Sequence, residues 1–328
     1  MNATPLVEAR GLTKRYSVRT RQGKRTLTAV DGVDLSVGAG QIVAVVGESG
    51  CGKSTTGRLL LALERPSEGT VAVAGRDLNQ LSAADLRRTR RDIQPVFQDP
   101  YDSLNGRMRI EQILSEPARV HRIAPGESRS VADLLDLVNL SPDYAHRYPH
   151  ELSGGQRQRV AIARAIALDP KFVVCDEAVS ALDVSVQAQV VNLLSRLQRE
   201  LGLAYLFISH DLALVRYLAH ETAVMYLGKV VEQGPTETLF ADPRHPYTQL
   251  LLAAVPRPKA GVRGRGAAPA AGIGELPSPL ERPAGCVFSS RCPIATDRCR
   301  TEEPLLRPID DTGRRAACHY AETAEVAA

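Results

Sequence analysis

Tryptophan is absent from this sequence of 328 residues, and aromatic residues make up only 4% of it. So few rings leave no stacking platform for single-stranded nucleic acid, which sets that class of binder aside. Long apolar runs are missing as well. The longest, residues 42–46, 172–175 and 203–208, fall far short of the roughly 20 residues that span a bilayer. The first ten residues, MNATPLVEAR, lack both the basic flank and the apolar core of a signal peptide. The expectation is a cytosolic chain whose membrane role, if it has one, comes through partners. A net charge of +4 is small for this length and makes no demand for a nucleic-acid partner. No segment repeats another, so at most one unit of each kind is present.

Cysteine is sparse until the end of the chain. Cys51 and Cys175 stand alone, whereas Cys286, Cys292, Cys299 and Cys318 crowd the C-terminus with spacing C-x5-C-x6-C-x18-C. In a reducing compartment such a cluster points to metal before disulfides. Four thiolates suit zinc or an iron–sulfur cluster, although the tight C-x-x-C pairs of common zinc ribbons are missing. Cys175 reads as a small core residue, and Cys51 as a tolerated loop position.

What is present is an alternation of buried strands and amphipathic helices. QIVAVV (41–46), FVVC (172–175) and AYLFI (204–208) have the length and β-branching of buried strands. Helical spacing runs over 55–63, 81–92, 110–121, 127–140, 156–168 and 184–201. This predicts an α/β fold with a mostly parallel sheet covered on both faces. Residues 1–40 read as short strands and turns, and 99–160 as a mostly helical subdomain inserted between strands. From 256 to 283 the chain turns rich in Pro, Gly and Ala and reads as a linker, which leaves 284–328 as a small Cys-containing module.

The chemistry begins at GESGCGKST (47–55), which fits the phosphate-loop pattern G-x-x-x-x-G-K-S/T. Gly47, Ser49, Gly50, Gly52 and Thr55 let backbone N–H groups face phosphate oxygens at a helix N-terminus. Lys53 reaches the β- and γ-phosphates, and Ser54 ligates Mg²⁺. Asp176 and Glu177 follow one strand and His210 another. Ligands of open parallel sheets bind at the carboxyl ends of strands, so these groups are expected in one crevice. Asp176 is placed to hold Mg²⁺ and Glu177 to orient or deprotonate the attacking water, with His210 toward the γ-phosphate.

ELSGGQRQRV (151–160) adds a second feature. Ser153 and Gln156 have capping-box spacing. Gly154 and Gly155 leave the first N–H groups of the helix uncovered, an open positive end for an anion. Since the chain already has a phosphate loop, the economical partner is a nucleotide held by another subunit.

The order of GESGCGKST, LSGGQ (152–156), FVVCDE (172–177), SALD (180–183) and His210 resembles the ATP-binding subunits of ABC transporters. The resemblance covers residues 6 to about 255 and implies an ABC-type P-loop fold, with an N-terminal antiparallel β part, within a 1–255 domain. It implies that Gln98 also serves Mg²⁺ and the water, that Tyr16 stacks on adenine, and that Ser153, Gly154, Gly155 and Gln156 serve the partner's ATP in a head-to-tail dimer. Ala178 stands where the family usually has Pro. VFQDPYDSLN, ALDVSVQAQVV and HPYTQLLLAAVP resemble the oligopeptide/dipeptide importer subclass, and its F-type ATPase in particular. The implied assembly holds a second ATPase subunit, two membrane permeases and an extracytoplasmic binding protein, with this chain on the cytoplasmic face of the membrane. For the four C-terminal cysteines the subclass implies a 4Fe–4S cluster, with zinc and bare thiols as alternatives. A nickel importer is the alternative within transport. A soluble non-transport ABC ATPase and a cluster-bearing redox-regulated ATPase are the alternatives outside it.

Overall fold

The computed structural model describes residues 4–21, 23–99, 103–124, 126–254, 277–278 and 280–322. The chain begins with two long strands, β1 (Val7–Thr20) and β2 (Gly23–Val37), and continues through β3 (Ile42–Val46) into α1 (Lys53–Leu60). After β4 (Glu68–Val73), β5 (Arg76–Asp77), α2 (Ala83–Thr89) and β6 (Ile93–Val96) come three helices, α3 (Ile110–His121), α4 (Val131–Leu137) and α5 (Gly154–Ile166). Then β7 (Phe172–Asp176), α6 (Val184–Leu201), β8 (Ala204–Ile208), α7 (Leu212–Leu218), β9 (Glu221–Tyr226) and β10 (Lys229–Pro235) restore the strand–helix rhythm. The C-terminal part holds α8 (Thr236–Ala241), α9 (Pro246–Ala253), α10 (Asp297–Thr301), β11 (Arg307–Pro308) and β12 (Arg315–Ala316).

The strands form two sheets. A four-stranded antiparallel sheet has the order β2-β1-β4-β5, and an eight-stranded sheet the order β11-β12-β10-β9-β3-β8-β7-β6. In the larger sheet β9, β3, β8, β7 and β6 run parallel. Both of its faces are covered, which explains the unbroken apolar runs. Val43, Val45, Phe172, Val174, Leu206 and Ile208 pack toward the antiparallel sheet and α1. The alternate residues Ile42, Ala44, Val46, Val173, Cys175, Tyr205 and Phe207 pack toward the helices on the other side.

The expected buried strands and helices are present, with boundaries moved by a few residues. The N-terminal reading needs correction: β1 and β2 pair along their length as one long antiparallel hairpin, not short strands and turns. Gly32 has φ +62° and lies inside β2, where the register against β1 shifts. A left-handed glycine at a register shift is a bulge, which bends a strand without ending it. The linker expected at 256–283 falls mostly outside the described residues. The module after it is not a loose appendage: β12 pairs with β10, so it extends the large sheet. Among the described residues no helix is long and apolar enough to cross a membrane.

Candidate active site

Four parallel neighbours deliver the expected groups to one edge of the large sheet. The phosphate loop follows β3, Gln98 follows β6, Asp176 and Glu177 stand at the end of β7, and His210 follows β8. The loop closes on the N-terminus of α1. Gly52 takes φ +106°, and a Cβ there would run into the backbone oxygen of Ala29 in β2, so the position admits glycine alone. Lys53 is buried, and its Nζ donates to the carbonyls of Gly47 at 2.8 Å and Glu48 at 3.0 Å. The ammonium therefore spans the loop, where phosphate oxygens would meet it. Ser49 and Gly50 are exposed at the loop's crest.

Ser54 Oγ donates to Asp176 Oδ1 at 2.9 Å and joins the loop to the carboxylates. Burial lifts the Asp176 carboxyl above the ordinary aspartate range, the Ser54 bond opposes that, and the like charge of Glu177 adds to it. A hydroxyl bonded to a half-buried carboxylate is a donor set suited to a hard cation such as Mg²⁺. Glu177 has φ +47°, an uncommon conformation for a residue with a Cβ. Its N–H donates to Ile208 O at 3.0 Å, and its carbonyl accepts from Ser180 N at 3.1 Å and Ser180 Oγ at 3.0 Å. Strain held in place by neighbours on both sides is the pattern of a functional position. The Glu177 Oε2 to His210 Nδ1 distance is 3.6 Å, with the imidazole exposed. Ala178, the departure from proline, is buried in the core. Gln98 is exposed at the rim.

Tyr16, on β1, is half-buried. Its hydroxyl donates to Glu64 Oε2 at 2.5 Å and lies in reach of Thr55, and Lys14 Nζ sits 5.1 Å from its ring centre. The ring is thus beside the start of α1.

The helix end expected to meet a second anion is the N-terminus of α5. Ser153 Oγ accepts the Gln156 N–H at 3.3 Å and Gln156 Oε1 accepts the Ser153 N–H at 2.9 Å, which completes the expected capping box. Gln156 Nε2 also donates to Tyr144 Oη at 2.9 Å. Ser153 is exposed, and its described hydrogen bonds do not reach the phosphate loop. The two glycines differ. A Cβ on Gly154 would make an ordinary 3.5 Å contact with Leu182, so its lack of a side chain leaves the helix end open. A Cβ on Gly155 would collide with Val186 Cγ1 in α6. Close packing within the chain therefore also asks for glycine at position 155, beside the expected role toward an incoming anion.

Cys286, Cys292, Cys299 and Cys318 line a single small pocket, partly open to solvent, together with His245, Phe288 and His319. Burial pushes the thiols of Cys286 and Cys292 up to about 11. The Tyr320 N–H points at Cys318 Sγ at 3.4 Å. Even so, among the described residues no group of three or more His, Cys, Asp or Glu is arranged to hold a metal ion. The expected cluster is therefore not carried by this geometry.

Sequence reading missed two contributors, Ser180 and Tyr247. Ser180 lies in SALD but drew no individual role. Tyr247 accepts the Glu48 N–H at 2.9 Å through its hydroxyl, a contact across 199 positions with no local signal.

Two family profiles match the chain: one described as ABC transporter over residues 30–180, and one described as the C-terminal region of oligopeptide/dipeptide transporters over 231–299. The "Probable peptide ABC transporter ATP-binding protein y4tS" of Sinorhizobium fredii is 50% identical, covering 98% of this chain and 92% of its own. The "Di/tripeptide transport ATP-binding protein DppF" of Pseudomonas aeruginosa is 46% identical, covering 97% and 98%. Among solved structures, the dimeric post-hydrolysis state of the ATP-binding cassette MJ0796 with ADP and Pi superposes with a TM-score of 0.62 at 29% identity, over 70% of this chain and 98% of that one. The cbiO1 subunit of the Clostridium perfringens cbiONQ transporter gives 0.64 at 26% identity, over 73% and 92%.

Proposed function

The chain belongs to the ATP-binding subunits of ABC transporters, and from that premise we propose that it hydrolyses ATP to drive import of oligopeptides or dipeptides across the cytoplasmic membrane. The observation that carries the reading is the division of anion sites. One group joins the phosphate loop, Asp176, Glu177 and His210, while the helix end at Ser153, itself exposed, makes no described hydrogen bond to it. Two chains set head to tail bring one chain's open end onto the other's phosphate loop. The dimeric form of the related MJ0796 cassette supports this arrangement.

Lys53 and the loop N–H groups hold the β- and γ-phosphates, and Tyr16 takes the adenine. Ser54, Asp176 and Gln98 would hold Mg²⁺, which would offset charge on the phosphate oxygens. Glu177 orients the attacking water and accepts its proton, and His210 steadies that carboxylate and the γ-phosphate. The partner's Ser153, Gly154 and Gln156 region stabilises the charge that develops on the transferring phosphoryl group. With no spanning helix among its described residues, this chain acts on the membrane through permease partners, supplied in turn by an extracytoplasmic binding protein. Proteoliposomes with the matching permeases and binding protein should take up labelled peptide when the ATPases are wild type and stop with Glu177→Gln. Peptide uptake that continues undiminished with that variant refutes the reading.

For the C-terminal module the finer reading is a 4Fe–4S cluster on Cys286, Cys292, Cys299 and Cys318. Its support is the convergence of four thiols on one pocket; the lack of a ready metal group weighs against it. Iron and sulfide assays on anaerobically purified protein decide between a cluster and bare thiols.

A further inference from the structure

The Cys-bearing end of the chain reaches back to the phosphate loop. Arg291, directly before Cys292, sends its guanidinium to both oxygens of Glu48, the second residue of GESGCGKST. Nη1 lies 2.8 Å from Oε2 and Nη2 lies 3.0 Å from Oε1. This is the two-pronged geometry that makes arginine–carboxylate pairs strong and directional. The Arg291 side chain is 10% exposed and Glu48 31%, so water screens the pair weakly. Nη1 also donates to Tyr226 Oη at 3.3 Å, and the guanidinium sits 5.9 Å from the Phe288 ring centre. Burial works against the charge on Arg291, but the bonds to Glu48 and Tyr226 outweigh it and hold the group above its ordinary value.

Residue 48 is therefore gripped from three directions. Tyr247 takes its N–H, Lys53 takes its carbonyl, and Arg291 takes its carboxylate. Among the described residues Glu48 has no other ion pair. Left unpaired, its carboxylate would place a negative charge beside the cradle of a triphosphate. Paired, that charge is neutralised and the loop is fixed to the C-terminal module.

We propose that Arg291 is a positioning residue for nucleotide binding: by neutralising and anchoring Glu48 it makes the docked C-terminal module a condition of tight ATP binding. The inference rests on the ATP site assigned above. The competing account is that Arg291 merely fastens the module to the cassette. The two differ in what removing the Glu48 charge does. If repulsion by an unpaired Glu48 weakens binding, Glu48→Gln repairs an Arg291 variant; if docking alone matters, it does not.

The test is equilibrium binding of a fluorescent ATP analogue with Mg²⁺ to the full-length protein at low salt. Loss of a half-buried charge pair beside an anion site should raise Kd about tenfold in Arg291→Ala and about threefold in Arg291→Lys, which keeps the charge but loses the fork. In R291A/E48Q the constant should return to within about threefold of wild type, and added salt should shrink the R291A effect. Wild-type affinity in R291A, or a double variant as weak as R291A, overturns the proposal. Should R291A fail to fold, R291M and R291M/E48Q, which keep most of the side chain's bulk without its charge, make the same comparison. A wild-type protein that binds no ATP removes the site itself and the proposal with it, whereas failure confined to the Arg291 series leaves the site standing.

Discussion

Replacing Gly155 by alanine separates packing from chemistry at the exposed helix end. The new Cβ would meet Val186 Cγ1 far inside the 3.5–4.0 Å or so of ordinary carbon contact. Val186 is β-branched and lies in the first turn of α6, where its N–H is held by Asp183 Oδ1 at 3.0 Å, so it has little freedom to turn away. Overpacking of this kind costs about 1–3 kcal/mol, and the better helix propensity of alanine returns at most about 1 kcal/mol. A net loss of about 1–2 kcal/mol in a domain of this size lowers Tm by about 2–6 °C. Gly154→Ala meets only the ordinary contact with Leu182, so its Tm should not fall, while its ATPase should drop by about tenfold or more because the Cβ covers donors meant for the partner's nucleotide. Adding Val186→Ala to G155A should remove the stability loss, a coupling expected of residues in contact. Thermal unfolding by circular dichroism reads all four proteins. A G155A protein as stable as wild type, or one that V186A leaves unimproved, refutes the packing argument.

Other perturbations test the chemistry and the module. Glu177→Gln should keep ATP binding and lose about a hundredfold or more of hydrolysis, measured by phosphate release, since a positioned base contributes on that scale. The Asp310 carboxyl is held down to about 2 by its bond to Thr312, together with Arg314. An aspartate lowered in the folded state contributes stability that is present above its ordinary 3.8 and is lost as pH falls toward 2. The protection of amides in β11 and β12, taken relative to the intrinsic exchange rate at each pH, should therefore fall across that window in wild type, and Asp310→Asn should flatten the dependence.

Legibility in the sequence followed burial. The strands β3, β7 and β8 are covered on both faces and read as plain apolar runs, so their residues and the polar groups at their ends stood out. The β1–β2 hairpin has charged residues alternating outward along its length, and Gly11 and Gly32 break the pattern further. Pro95 hid β6, which lies at the edge of its sheet, where proline is tolerated. The β9–β10 hairpin turns on Leu227 and Gly228, both at positive φ, and the leucine there gives no turn signal. The active-site motifs were legible because each lies within a few residues. The contacts of Arg291 and Tyr247 with Glu48 were not, since they join positions about two hundred residues apart. The role of Gly155 required knowing which helix lies against it.

Mixing two disabled proteins tests the shared cage most directly. Lys53→Ala lacks a working phosphate loop, and Ser153→Arg lacks a working open helix end. If each nucleotide is enclosed by one chain's loop and the other chain's helix end, neither variant hydrolyses ATP alone, but their mixture regains activity because one complete site forms per mixed pair. A mixture as inactive as its components, or Ser153→Arg turning over at the wild-type rate as a monomer, contradicts the account.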